Sequence, residues 1–222
     1  MIRRIIWPLI FGLGGVAILV SLGVWQVQRL AWKEAVLADI EARIAAAPEP
    51  LPEVPDPETD RYMPVVAEGV LGDDYVRVLV SQRGQGAQYR VISPFETGDR
   101  RILVDRGVMA TEGTPPGHSG EVVVTGNLHW PDEVDGFTPA PDMARNIWYA
   151  RDVDALAAHL GTLPILVIAS DMSVSDAPVT PLPADTGGIP NDHLNYAVTW
   201  FSLAVLWMGM TLFLLWRIRR KP

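Results

Sequence analysis

The sequence predicts an α+β protein in which an N-terminal and a C-terminal transmembrane helix flank a mainly antiparallel β domain. Residues 5–27 and 194–216 contain no charged side chain, and each stretch exceeds the roughly 20 residues that span a bilayer as a helix. Between them, short runs rich in Val, Ile and Tyr alternate with Gly- and Pro-rich turns. This alternation is typical of strands joined by hairpins.

These features divide the chain into four segments. Residues 1–28 are the N-terminus and first span, and residues 29–64 are a helical extension with a Pro-rich linker. The α+β domain occupies residues 65–190, and residues 191–222 are the second span with a basic tail.

Charge is distributed unevenly along the chain. All 26 acidic residues lie between Glu34 and Asp192. The residues that flank the spans are basic: Arg3, Arg4, Arg217, Arg219, Arg220 and Lys221. The positive-inside rule therefore places both termini in the cytoplasm and the acidic domain in the periplasm, in a bacterial inner membrane. A net charge of −8 disfavours nucleic acid as a partner, whereas the spans require membrane lipid.

The first span is predicted to continue as a helix after it leaves the membrane. Leu37, Ile40 and Ile44 recur at helical spacing, and Pro48 ends the run. The alternative is a signal peptide cleaved near Ala47, but the apolar run is too long and charged residues precede that position. Residues 48–64 are Pro-dense and acidic, which predicts an extended linker outside the core.

The central domain contains six predicted strands and one predicted helix. The helix covers residues 152–160, with Asp152 as N-cap and Gly161 just past its end. The strands are predicted at residues 65–71, 75–81, 88–92, 101–105, 121–129 and 165–169, with glycine turns at residues 83–86 and 114–117.

The central domain carries no sequence pattern that indicates catalysis, and we expect no enzymatic activity. The chain has no cysteine, which excludes disulfides, thiolate zinc sites, Fe–S clusters and covalent c-type haem. His118, His129 and His159 lack metal-ligand spacing. The acidic residues at 132–135 lack EF-hand spacing, so a solvated loop is favoured over a Ca²⁺ site.

His193 lies at the mouth of the second span. Asn191 or Asp192 can cap that helix, and the first-turn position favours a neutral imidazole. A stripe at helical spacing follows it: Tyr196, Trp200, Leu203, Trp207, Met210 and Leu214. An imidazole above aromatic and apolar side chains suits an iron porphyrin, but spacing alone favours simple packing on the first span. Arg29, at the same membrane surface, is either a partner of a haem propionate or an ordinary interfacial arginine.

Several motifs resemble the surfeit locus protein 1 family, assembly factors of haem–copper cytochrome oxidases. LGVWQ at residues 22–26, LVDRG at residues 103–107 and NIWY at residues 146–149 occur in the family's order. The most specific match is NDHLNYAVTWF at residues 191–201. Two departures are Val-Met-Ala at residues 108–110, where the family usually has Trp-Val-Pro, and Asp192, which replaces an asparagine.

The resemblance implies that the protein binds haem a and assists its insertion into cytochrome c oxidase subunit I. It implies His193 as the axial ligand of the haem iron, while Tyr196 and Trp200 are candidate wall residues by geometry only. Subunit I and haem a synthase are the expected protein partners. The alternative function is a haem-independent scaffold that stabilises nascent subunit I through helix–helix contacts.

Overall fold

The computed structural model describes residues 2–82, 84 and 86–220, without the side chains of residues 2–4 and 82. Parts of three predicted features lie outside this description: the turn residues Arg83 and Gln85, the side chains of Arg3 and Arg4, and Lys221.

The chain forms two compact units. One combines Met1–Asp39 with Thr186–Pro222, and the other is Ile40–Asp185.

Two long helices dominate the first unit. Helix α1 is Ile2–Ile44, with 43 residues, and helix α3 is His193–Arg220, with 28 residues. Both are long and apolar enough to cross a membrane, as judged by length and composition. The predicted continuation of the first span is confirmed, since α1 runs to Ile44 without a break.

The two helices pack against each other in antiparallel directions. Three glycines of α1 lie close to side chains of α3: Gly12 to Thr211, Gly15 to Trp207, and Gly23 to Phe201. The residue numbers on α3 decrease as those on α1 increase, so the helices run in opposite directions. On the α3 side, Ala197 and Ala204 are buried. Small residues of this kind allow helix backbones to approach closely within a bilayer.

Among the described residues, eight strands form the sheet of the second unit. They are β1 (Glu49–Pro50), β2 (Pro64–Leu71), β3 (Val76–Gln82), β4 (Gly86–Thr97), β5 (Arg100–Ala110), β6 (Val122–Leu128), β7 (Ile147–Trp148) and β8 (Leu166–Met172). Their order is β1-β2-β6-β8-β5-β4-β3-β7, and β2 also pairs with β4. That extra pairing closes β2, β6, β8, β5 and β4 into a ring, which leaves fewer exposed strand edges.

The sheet is mixed but mainly antiparallel, as predicted. The pairs β2–β4, β2–β6, β3–β4, β4–β5 and β6–β8 are antiparallel. The pairs β1–β2, β3–β7 and β5–β8 are parallel. A parallel pair needs a long connection, and between β5 and β8 that connection includes β6, β7 and helix α2 (Val153–Leu160).

The core lies inside the ring of strands and beneath α2. Phe95, Ile102 and Leu128 are fully buried in one apolar cluster. Leu103 and Leu166 belong to a second cluster, together with Leu156 of α2. Fully burying a side chain of this size stabilises the fold by about 1.5–3 kcal/mol.

The caps of α2 are those that the sequence predicts. The side chain of Asp152 accepts a hydrogen bond from the backbone N–H of Ala155 at 3.0 Å. Gly161 ends the helix in the left-handed conformation, with φ of 66°, a conformation that costs glycine no steric penalty.

The Pro-rich segment is attached to the domain, although the sequence predicts a linker outside the core. Glu49 and Pro50 pair with β2, and Leu51 and Met63 pack against the first apolar cluster. Pro is tolerated at a sheet edge because its missing N–H is not needed there. The segment therefore covers one edge of the sheet.

Candidate functional site

His193 is the first residue of α3. The carbonyl of Asp192 accepts the hydrogen bond from the backbone N–H of Tyr196 at 3.2 Å, which makes Asp192 the N-cap. The predicted first-turn position of His193 is confirmed.

Gln26 of α1 faces the His193 ring across the helix pair. Its side-chain Oε1 lies 2.8 Å from His193 Nδ1, and Gln26 is only 8% exposed. A carbonyl oxygen can only accept a hydrogen bond, so in the neutral ring this contact requires the proton on Nδ1. The lone pair of the ring then lies on Nε2.

The donor set at this position fits a haem iron better than a bare metal ion. Within the described part of the chain, no three His, Cys, Asp or Glu side chains group closely enough to hold a metal ion. A porphyrin supplies four nitrogen ligands itself, so one imidazole suffices to hold its iron. His193 Nε2 can supply that ligand.

The surroundings of His193 also suit a large apolar ligand. Leu194 and Tyr196, which follow it on α3, are 57% and 55% exposed. The Oδ1 atom of Asn191 is a buried acceptor without a hydrogen-bond partner among the described residues. A ligand at this end of α3 would therefore meet apolar surface and an aromatic ring.

The predicted stripe along α3 does not pack as a whole on α1. Trp207 meets Gly15, and its ring lies 5.5 Å from that of Phe11. Trp200 is partly buried. Tyr196, Leu203 and Met210 are 55%, 41% and 61% exposed. Part of the stripe is thus helix contact, and part is open surface.

Arg29 lies three residues after Gln26 on α1, about 4.5 Å further along the helix. Its side chain is exposed, and its guanidinium carbon lies 4.5 Å from the centre of the Trp32 ring. This cation–π contact orients the arginine along α1. A role in pairing with a propionate stays a prediction.

Sequence reasoning missed Gln26 as a site residue. The signal was present, because a polar side chain within an apolar span needs a partner and such residues tend to be functional. Matching the ends of the two spans places Gln26 at the same membrane surface as His193. A single sequence does not fix which faces of the two helices meet, however, so it could not identify His193 as that partner.

Several charged residues of the second unit form buried ion pairs. Asp105 is fully buried, and its Oδ2 accepts a hydrogen bond from Arg90 at 2.6 Å and lies 3.5 Å from Arg151 Nη1. Arg151 also pairs with Glu133. Both arginines thus have carboxylate partners, as buried charges require.

Burial and the neighbouring Arg151 shift the pKa values of two groups in and beside this network, His129 and Glu133. Burial lowers the pKa of His129 to about 4, helped by the positive charge of Arg151. Burial alone would raise the pKa of Glu133, but hydrogen bonds and the charge of Arg151 outweigh it and lower the pKa. The three histidines of the domain have separate contacts: His118 with Asp176, His129 with Tyr62, and His159 with Trp148.

The family model described as the SURF1 family matches residues 13–205. This range includes Gln26, His193 and the whole β domain. The chain belongs to the SURF1 family. This is the family that the sequence motifs resemble, and it is known as a family of cytochrome c oxidase assembly factors.

Similar SURF1 proteins occur in animals and bacteria. Surfeit locus protein 1 of Rattus norvegicus is 32% identical over 91% of this chain and 73% of the relative. Surfeit locus protein 1 of Homo sapiens is 32% identical, over 83% and 69%. The SURF1-like protein of Rickettsia felis is 29% identical, over 85% and 88%.

The SURF1 motif residues at 103–107 and the departure that follows them lie in β5. Asp105 is part of the buried ion pairs, and Gly107 has φ of 120°. A Cβ atom on Gly107 would lie 2.1 Å from the backbone oxygen of Thr180. Val108 and Met109 are 6% and 3% exposed, so these two residues of the departure lie inside the domain, whereas Ala110 is exposed.

Proposed function

We propose that this protein is a non-enzymatic membrane assembly factor that binds haem a and assists its insertion into subunit I of a haem–copper cytochrome c oxidase. His193 holds the haem iron, and the chain sits in a bacterial inner membrane with its β domain in the periplasm. Subunit I and haem a synthase are its protein partners.

The observation that carries the proposal is the contact between the His193 ring and Gln26. Gln26 Oε1 lies 2.8 Å from His193 Nδ1, which holds the imidazole in place and leaves Nε2 free of this contact. Metal-binding histidines are held in this way, with the second nitrogen donating to a neighbouring oxygen.

The geometry also suits release of the haem. A single protein ligand supplies only one of the iron's axial bonds, so the complex is more labile than a site with two. The exposed ring of Tyr196 and the partly buried Trp200 flank the porphyrin, and Arg29 pairs with a propionate. Because Leu194 and Tyr196 are open to the surroundings, the haem can leave sideways towards subunit I.

The proposal predicts that His193→Ala abolishes most haem binding. The protein is expressed in cells that make haem a, purified in detergent, and its haem content is measured from the absorption spectrum per mole of chain. His159→Ala is the matched control, since His159 lies on the exposed side of α2. We expect haem loss in the first variant only, and equal haem content in His193→Ala and the wild type would contradict the role of His193.

A haem-independent scaffold is the second candidate. The observation that favours it is the exposed apolar surface further along α3, where Val205 and Leu206 are 72% and 61% exposed. Such a surface can bind another transmembrane helix as well as lipid. Co-purification of subunit I from cells that lack haem a, at the level seen in cells that make it, would favour the scaffold.

A further inference from the structure

We propose that Gln26 is a positioning residue that selects the tautomer of His193 and sets how strongly its Nε2 binds the haem iron. The inference rests on the proposed function, and it adds a residue of the first span to the site. Its structural part, the tautomer, can be tested without haem.

The first step is the burial of Gln26. Its side chain lies among apolar residues of α1 and is 8% exposed, so an unpaired amide there would be costly. The Oε1 atom has one partner within 2.8 Å, the His193 Nδ1 atom. With the amide oriented as in the structure, both groups lose their hydrogen bond if the ring turns or if the proton moves to Nε2.

The second step is the effect on the ring. With an acceptor at Nδ1, the tautomer that carries its proton on Nδ1 is stabilised by one buried hydrogen bond. That tautomer leaves Nε2 free to bind the iron. The opposite tautomer would place a proton on Nε2 and block the bond.

The third step concerns the strength of the iron bond. Donation from Nδ1–H to an oxygen raises the basicity of Nε2, and the effect grows with the charge of the acceptor. A neutral amide gives an intermediate strength, between no acceptor and a carboxylate. An intermediate strength suits a protein that must bind its cargo and then release it.

A matched control is available two residues away. Gln28 is also on α1, but it is exposed, because residues two apart on a helix do not share a face. Gln26→Leu and Gln28→Leu therefore make the same chemical change at nearly the same depth. Only the first removes the acceptor that faces His193.

The first experiment uses the full-length, haem-free protein in detergent with ¹⁵N-labelled histidine. The chain has four histidines, and His193→Ala identifies the signals of His193. At about two pH units above the ordinary imidazole pKa of about 6.5, nitrogen NMR reports which ring nitrogen carries the proton. We expect the proton on Nδ1 in the wild type and Gln28→Leu, and a shift towards Nε2 in Gln26→Leu.

The second experiment uses protein loaded with haem a. We expect Gln26→Leu to weaken haem affinity by about 10- to 100-fold, as for other partners of metal-bound histidines. In the reduced protein the iron–imidazole stretching frequency, read by resonance Raman, should fall. Gln26→Glu should restore the affinity and raise that frequency above the wild-type value, whereas Gln28→Leu should leave both unchanged.

The outcomes separate this inference from the proposed function. A wild-type proton on Nε2, or an unchanged tautomer in Gln26→Leu, would overturn the role of Gln26 even if His193 binds haem. Loss of haem in Gln26→Leu with no change of tautomer would assign Gln26 a packing role only. Haem retained in His193→Ala would instead overturn the proposed function, and would leave the tautomer result standing.

Discussion

His129 is the residue whose protonation differs most clearly from that of a free side chain. Burial, together with the charge of Arg151, lowers its pKa from 6.5 to about 4. In the folded protein the ring therefore stays neutral between pH 6.5 and about 4, whereas in the unfolded chain it binds a proton. The contribution of His129 to the free energy of unfolding is therefore fully present above pH 6.5 and is lost as the pH falls towards 4. This loss amounts to up to about 3 kcal/mol.

The prediction is that His129→Phe flattens the pH dependence of unfolding in this window. The ring centres of His129 and Tyr62 lie 4.9 Å apart. Phenylalanine places another aromatic ring in this position, and that ring cannot bind a proton. The free energy of unfolding is measured in denaturant at several pH values for the full-length protein. His159→Phe should retain the wild-type slope, and an unchanged slope in His129→Phe would show that His129 is not the titrating group.

The same buried groups show where sequence reasoning stops at this scale. The strand predicted at residues 101–105 ends at Asp105, but Asp105 and Arg106 both lie inside β5, where Asp105 is fully buried. Their partners Arg90, Arg151 and Asp176 come from distant segments. A pattern of single residues gives no information on such long-range pairs, so the predicted strand ends five residues before β5 does.

At the scale of elements, local signals were reliable and long-range contacts were not. The caps of α2 and the presence of two long apolar helices depend on neighbouring residues, and both were predicted. The closed ring of strands depends on the pairing of β2 with β4 through Val70 and Leu71, which no local pattern encodes. The same holds for the antiparallel register that brings Gln26 to His193.

The helix pair depends on the glycines of α1. A Cβ atom on Gly12 would lie 2.1 Å from Thr211 Cγ2 and 3.0 Å from Thr211 Cβ. Thr211 cannot move aside easily, because its side chain is short and its hydroxyl donates to the carbonyl of Trp207 at 2.8 Å. Added bulk at position 12 must therefore separate the helices.

Gly12→Val is expected to loosen the contact between α1 and α3, because packing of small residues is a main source of helix association in membranes. Gly14→Val is the control, since a Cβ atom there meets no atom within 4 Å. Amide hydrogen exchange along α3, measured by mass spectrometry in detergent, should become faster in Gly12→Val only. Equal exchange in the two variants would argue against close helix packing at this point.

At the scale of the whole molecule, the orientation in the membrane decides whether the site can meet its partners. The basic residues Arg217, Arg219 and Arg220 lie in the last turn of α3, and from the positive-inside rule we predict that they are cytoplasmic. The same prediction puts His193, at the opposite end of α3, and the β domain on the periplasmic side.

The absence of cysteine makes this orientation directly testable. A single cysteine is introduced at Phe137, a loop residue of the β domain that is 94% exposed, and in a second variant a cysteine is appended after residue 222. We expect a membrane-impermeant maleimide to label the first variant in intact spheroplasts and the second only after permeabilisation. The reverse pattern would place His193 at the cytoplasmic surface, and haem would then have to reach subunit I from the inner side of the membrane.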